Sequence, residues 1–268
     1  MMKVLVTVKE VAEVEDDFEI ADLDVDSRYV EYDLNEWDEY AVETAVQLAE
    51  AADEDVEVVS ATIGPERSEE TIRMALAKGV DRAVRVWDED VEAAEFLDVA
   101  SKVRLFEAVV AEEDPDIVLT GVQAHDTGFG ATGVALADAI GYEWGAVVNA
   151  LDTEGVLDDG VARVHRELEG GVEELTEIDL PAVLTIQTGI NEPRYASLRG
   201  IRQAQSKEIA AKTLADLGLD HGAVASELFL TDMYEPETES DATYFDGDAD
   251  EQAAKLATAL REKGVGAE

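Results

Sequence analysis

The chain predicts an α/β fold: a Rossmann-like parallel sheet flanked by helices, with an antiparallel hairpin addition and an extended C-terminal arm. Three features of the sequence carry this. Short β-branched runs alternate with amphipathic helical stretches from Lys3 to Ile140, the signature of right-handed βαβ units. From residue 145 the pattern changes to alternating strands separated by Asp158-Asp159-Gly160 and Glu169-Gly170-Gly171. Between Lys212 and Lys255 there is no Lys or Arg, and the sequence turns polar and rich in Gly and Asp.

The elements follow in order. Lys3 to Val8 is a strand buried on both faces, and residues 10 to 34 are acidic and irregular. A helix starts at Asn35 as N-cap, with Ala41, Ala45, Leu48 and Ala49 along one face. Val56 to Ile63 is the next strand and ends at Gly64-Pro65. Ser68, followed by Glu69 and Glu70, opens a helix that closes at Gly79. Ala83 to Val86 is a strand, Val91 to Glu112 one long helix, Asp116 to Thr120 a strand, and Thr132 to Ile140 a helix after a loop. Ala146–Leu151, Val161–Leu168 and Val172–Ile178 read as antiparallel strands and Ala182–Ile186 as a buried one. Residues 207 to 247 form an arm, and Ala249 to Lys263 a final helix with Ala253, Leu256, Ala257 and Leu260 on one side.

Composition narrows the function. With 64 acidic against 20 basic residues the formal charge is −44 over 268 residues. Such a surface repels itself unless salt screens it, so the chain reads as adapted to very high salt, where the Debye length falls to about 3 Å. The same charge disfavours nucleic-acid binding through a general basic surface. The absence of cysteine removes disulfides, thiolate clusters and catalytic thiols, and three scattered histidines (His125, His165, His221) predict no metal site. The opening MMKVLVTVKE begins a strand without a signal-peptide pattern, and no run reaches the 18 apolar residues of a membrane span. A cytoplasmic protein that is not itself membrane-bound is expected.

In a parallel sheet, ligands gather at the carboxyl ends of strands, where helix N-termini offer free amides to anions. Three loops qualify: that after Val8, Thr62 to Pro65, and Gly121 to Gly133, with four glycines in 13 residues and Thr132 at a helix start. The last suits a phosphate. It is not a G-x-x-x-x-G-K-[ST] P-loop and is not read as a dinucleotide turn, so triphosphate hydrolysis and an ordinary NAD site are poorly supported. His125 and Asp126 are adjacent and point apart, which disfavours them as an acid–base pair. Trp37 is either core packing or a lid on a flat ring.

One stretch departs from the acidic background. From Arg194 to Lys207 there are four basic residues (Arg194, Arg199, Arg202, Lys207) and no acid, around an apolar Leu198. This reads as a docking surface with an apolar anchor, in competition with a plain turn whose Arg194 pairs with a carboxylate.

Leu180-Pro181-Ala182-Val183-Leu184-Thr185 followed by Asn191-Glu192-Pro193-Arg194-Tyr195-Ala196-Ser197-Leu198-Arg199-Gly200-Ile201 resembles the signature of the electron transfer flavoprotein β subunit. The likeness extends to Val4–Lys9, to Asn35–Ala41 as an N-x-x-x-E-x-A segment and to Gly64-Pro65 with Glu70–Gly79. It also takes in Gly121–Gly133 as a phosphate loop, and Arg163–Leu168 with Gly170-Gly171. It covers residues 3 to 210 and matches the C-terminal quarter only in kind.

The resemblance implies an electron carrier, not an enzyme, working as a heterodimer. The α subunit would hold most of the FAD; the β chain, in residues 1–206, would bind AMP, or a second FAD in an electron-bifurcating branch. Residues 207–268 would pack on the α subunit. The implied nucleotide contacts are Thr7, Asn35, Glu36, Trp37, Asp38, Ile63, Gly121, Val122, Gln123, Ala124, Asp126, Thr127, Ala131 and Thr132, with Trp37 beside the flavin. Arg194, Tyr195, Leu198, Arg199 and Arg202 would meet acyl-CoA-type dehydrogenases, and electrons would pass on to a membrane quinone reductase. The chain departs from the family pattern at Ala131, which lacks an amide side chain, and in a thinner basic cluster after Leu198. Thr132 and the lack of a P-D-T after Lys9 favour AMP. A stand-alone adenine-nucleotide sensor is the competing class.

Overall fold

The computed structural model describes residues 2–235 and 242–265; the part of the expected arm at 236–241 lies outside them. The chain divides into two compact units, Met1–Met233 and Tyr234–Glu268. In the first, β1 (Met2–Thr7) sends Val4 and Val6 into one core and Leu5 into another. Both of its faces are covered, which is why the run is apolar without alternation.

Residues 10 to 34 are not irregular. They hold β2 (Glu10–Val14), the two-residue strands β3 (Ile20–Ala21) and β4 (Asp24–Val25), and β5 (Val30–Leu34), with β2 antiparallel to β5 and β3 to β4. The small sheets bury little: Val11 and Leu34 go inside while Glu13, Glu31 and Asp33 stay out, so the apolar period is too short to read.

Next come α1 (Glu36–Ala51), β6 (Val56–Ile63), α2 (Glu69–Lys78) and β7 (Arg82–Val86). Asn35 and Ser68 stand at the two helix starts as expected, but neither side chain caps its helix. Helix α2 stops at Gly79, where φ is +137° and a Cβ would meet Val46 at 2.8 Å. The long helix expected from Val91 to Glu112 is broken into α3 (Glu89–Ala93) and α4 (Val99–Glu113). Asp98 causes the restart: its carboxylate accepts from the Ser101 N–H at 2.8 Å, a D-x-x-S cap.

The rest of the unit comprises β8 (Ile117–Gly121), α5 (Thr132–Ile140), β9 (Glu143–Asp152), α6 (Thr153–Asp159), β10 (Val161–Leu168), β11 (Val172–Asp179), β12 (Ala182–Ile186), α7 (Leu198–Ala204) and β13 (Ile209–Lys212). Residues 153–159, expected to contain a bare turn, form a helix that ends at Gly160 with φ +69°. The arm's first stretch is not extended free chain, since β13 pairs with β7.

All the long strands join one nine-stranded sheet in the order β11-β10-β9-β12-β8-β1-β6-β7-β13. The pairs from β9 to β13 are parallel, and β10 is antiparallel to both β9 and β11. Strand β9, expected to be antiparallel throughout, is therefore parallel on its β12 side. On one face Ala41, Leu48, Ile72 and Leu76 of α1 and α2 pack on Val4, Val6 and Leu184. On the other, Leu105, Phe106, Val109 and Leu136 of α4 and α5 pack on Leu5, Val59 and Val118. Each of the larger side chains among these contributes about 1.5–3 kcal/mol by leaving water. The chain leaves β1 toward β6 and β7 on one side and returns to β8 on the other, so a crevice opens at the carboxyl ends of β8, β1 and β6.

The second unit holds α8 (Ala249–Glu262), begun by Asp248, whose carboxylate accepts from the Glu251 N–H. Its Leu256 and Leu260 are exposed. No helix among the described residues is long and apolar enough to cross a membrane.

Candidate functional site

A cavity of about 330 Å³ occupies that crevice, within the range of small-molecule sites. Thr7, Ile63 and Gly121 reach it from the ends of β1, β6 and β8; Asn35 and Asp38 come from the start of α1; the 122–132 loop covers it. Of the fourteen residues proposed from the sequence, eleven line this cavity. Glu36, Trp37 and Asp126 do not.

Two buried side chains of α1 hold the floor together. Asp38 accepts from the Lys9 N–H at 2.8 Å and from the Gly121 N–H at 3.1 Å, tying the ends of β1 and β8. Burial pushes its carboxyl up to about 7, against the pull of these amides, of Asn35 and of the Lys9 charge. Asn35 is spent on the loop instead of on its own helix: its Nδ2 donates to Gln123 O at 2.9 Å and its Oδ1 accepts from the His125 N–H at 3.1 Å. The amide therefore fastens the glycine loop where a serine cap could not reach both partners.

The four loop glycines divide by cause. A Cβ on Gly121 would meet Asp38 Oδ1 at 2.5 Å and Trp37 Cβ at 2.6 Å, and one on Gly133 would meet Thr120 Oγ1 at 2.5 Å. Both are small because the protein packs against itself there. Gly128 and Gly130 instead take left-handed backbone, φ +62° and +59°. Gly128 to Gly133 does spell G-x-G-x-x-G, but β8 ends at Gly121, seven residues earlier. A dinucleotide turn needs those glycines directly after the strand.

Asp126 lies outside the cavity lining, with its carboxylate bound by the Lys9 ammonium; the His125 ring plays no part in that pair. Lys9 also reaches Thr127 Oγ1 at 3.4 Å. Ala131 and Thr132 line the cavity at the start of α5, which has no side-chain cap. Trp37 is half-buried and donates its indole N–H to Gln187 Oε1 at 3.0 Å. Gln187 belongs to a second, polar cleft with Val147, Asn149 and Glu167, where Asn149 Oδ1 is buried without a partner among the described residues. His165 sits in the β10–β11 hairpin, 3.4 Å from Glu173.

Sequence reasoning missed one wall. The break between α3 and α4 turns Ala94 to Leu97 into the cavity, and Lys102 and Phe106 follow from α4. Phe96 meets Phe129 edge-on at 6.1 Å. The D-x-x-S at Asp98 was the signal for this break; nothing in the sequence marked Lys102. Burial alone would raise the Asp98 carboxyl, but amide donors from Ser101 and Glu227 bring it down to about 2.

The basic stretch lies elsewhere and has a rigid base. Arg194 forms paired bonds to Glu43 and Glu50 of α1, and Asn191 donates to Tyr40 O and Thr44 Oγ1. Lys207 donates to Leu76 O and Val80 O, and Arg73 to Ala204 O and Lys207 O. On this base Tyr195 is 97% and Leu198 77% exposed. Arg199 and Arg202 are exposed and have no ion pair among the described residues.

Residues 22–217 match the electron transfer flavoprotein domain. The chain is 46% identical over 266 residues to an electron transfer flavoprotein subunit beta of Methylophilus methylotrophus, covering 97% of this chain and 98% of that one. It is 38% identical over 221 residues to the subunit of the same name from Bradyrhizobium diazoefficiens (82% and 84% covered), and 37% over 209 residues to that of Sus scrofa (77% of each).

Proposed function

The chain belongs to the electron transfer flavoprotein family, as a β subunit, and from that premise we propose that it works as the β half of an α/β heterodimer whose own cavity holds AMP. It is an electron carrier and no catalyst. FAD, bound mainly by the α subunit, supplies the redox centre; this chain buttresses it, with Trp37 and the polar cleft beside Gln187 facing it.

The observation that carries the AMP reading is the cavity at the ends of β8, β1 and β6. Its residues fit a nucleoside monophosphate. Phe96 and Phe129, set edge to face, give apolar aromatic surface for a base. The uncapped start of α5, at Ala131 and Thr132, suits a phosphate, and Asn35 and Asp38 keep the loop in place. A second FAD in that cavity is the alternative.

Electrons would enter from acyl-CoA-type dehydrogenases, whose docking the Tyr195–Leu198 tip serves with Arg199 and Arg202, and leave to a membrane quinone reductase. The tail from residue 207, including the exposed Leu228, Phe229 and Leu230 and helix α8, would lie on the α subunit. The charge of −44 suits a salt-rich cytoplasm.

Co-expression with an α subunit tests this. A yellow 1:1 heterodimer yielding one FAD and one AMP on acid extraction is expected. A colourless β homodimer would favour the stand-alone sensor, and two FAD per heterodimer the bifurcating form.

A further inference from the structure

Lys102 stands apart from the other cations inside this fold. Acids outnumber bases 64 to 20, and a basic group that enters the interior usually finds a carboxylate. Lys9 has Asp126, Lys78 has Glu39, and Arg82 has Glu57 and Glu113. Arg73 and Lys207 donate to backbone carbonyls instead. Lys102 does neither. Among the described residues, no acceptor bonds its ammonium and no carboxylate lies within ion-pairing distance; the Phe129 ring centroid is 5.9 Å from its Nζ, and Asp126 and Asp98 act on it only at longer range.

The lysine is half-buried in the cavity wall. Burial, and then repulsion from Lys9, lower its pKa to about 8 against the weaker pull of Asp126 and Asp98, so the group is charged at neutral pH but only partly compensated. Its neighbour Lys9 is neutralised by Asp126, and Glu95, which also lines the cavity, is exposed. A half-desolvated cation without a partner destabilises a fold unless something brings it a negative charge. The carboxylates near it are committed elsewhere: Asp98, one turn earlier, accepts from the Ser101 and Glu227 amides, and Asp126 pairs with Lys9. The lysine thus lines a cavity of ligand size without an ion pair of its own among the described residues.

We propose that Lys102 is the phosphate-reading residue of this cavity: its ammonium pairs with the phosphate of a bound nucleoside monophosphate, and so sets the preference for a phosphorylated over an uncharged ligand. This rests on the nucleotide reading of the cavity and adds a residue from α4, outside the strand-end loops. Lys102→Arg keeps the charge and Lys102→Met removes it at similar length.

The test titrates full-length wild-type, K102M and K102R chains, each complexed with the α subunit and stripped of nucleotide, with AMP and with adenosine. K102M should lose about 10- to 100-fold in AMP affinity, the scale of one charge-assisted bond, while adenosine binding stays within about twofold. K102R should keep most of the AMP preference. Without ligand, K102M should melt no lower than wild type, since an uncompensated charge has gone. If K102M binds AMP as wild type does, or loses AMP and adenosine alike, the assignment of Lys102 is overturned and the nucleotide reading stands. A K102M chain that melts well below wild type without ligand would make Lys102 a structural cation and also overturn it. If wild type binds neither ligand, the nucleotide reading itself fails and the assignment falls with it.

Discussion

The cavity at the strand ends and the basic stretch at 191–207 use polar side chains in opposite ways. In the cavity, buried groups of α1 reach outward to fasten backbone: Asp38 ties Lys9 to Gly121, and Asn35 holds Gln123 and His125. In the basic stretch, two of the four cations turn back into the body. Arg194 binds Glu43 and Glu50, and Lys207 caps carbonyls near the end of α2. What remains outside is an apolar tip, Tyr195 and Leu198, flanked by Arg199 and Arg202. Half of the charge here is scaffolding: Arg194 holds the stretch against the acids of α1, and Lys207 holds it against carbonyls at the end of α2. Gly200 completes the base, because a Cβ there would collide with Ala77 O.

Breaking the cavity's frame should have the largest effect. Gly121→Val drives a branched side chain into Asp38 and Trp37, and should cost on the order of 4 kcal/mol and abolish nucleotide retention, read by urea unfolding and by extraction. Asp38→Asn isolates the charge. The folded pKa is raised from 3.8 to about 7, so the stability this group contributes is complete below pH 4 and is lost as pH rises toward 7. Wild type should therefore lose about 3 kcal/mol relative to D38N between those limits, and parallel pH profiles would contradict this.

Breaking the loop's base should matter less. Arg194→Ala leaves Glu43, whose side chain is 6% exposed, without its partner, at a cost of about 2 kcal/mol. Burial would raise the Glu43 carboxyl, but Arg194 holds it below 4.5. The contribution is thus present above pH 4.5 and lost as pH falls further, so the deficit of R194A should shrink in acid. Leu198→Ala should sharpen the contrast most: unfolding free energy within about 0.5 kcal/mol of wild type and unchanged FAD content in the heterodimer, but slower flavin reduction by a partner dehydrogenase. Unchanged reduction kinetics would remove the anchor role from Leu198.

Much of the sheet was legible because parallel strands buried on both faces write themselves as β-branched runs, as in Val4–Val8, Val56–Ile63 and Ala182–Ile186. The β2–β5 ribbon was not, since one short half-buried face lies within a run of acids. The break before Asp98 was hidden because the apolar spacing of α3 and α4 is compatible with one helix; only the cap residue betrays the restart. Eleven of the fourteen proposed contacts fall on one cavity because the loop order of a βαβ sheet dictates which segments meet.

The sequence alone determined the fold class, the ends of most strands, the segments that line the cavity and the exposed Leu198, because hydrophobic period and turn chemistry are local. Tertiary structure decided how charge is used. It turned Asn35 to a loop instead of its helix, joined Asp126 to Lys9 and Arg194 to α1, and left Lys102 in the cavity wall without an ion pair among the described residues. Pairing of charges depends on which groups lie within a few ångströms across 117 or 151 residues of chain, and that proximity exists only once the sheet has closed.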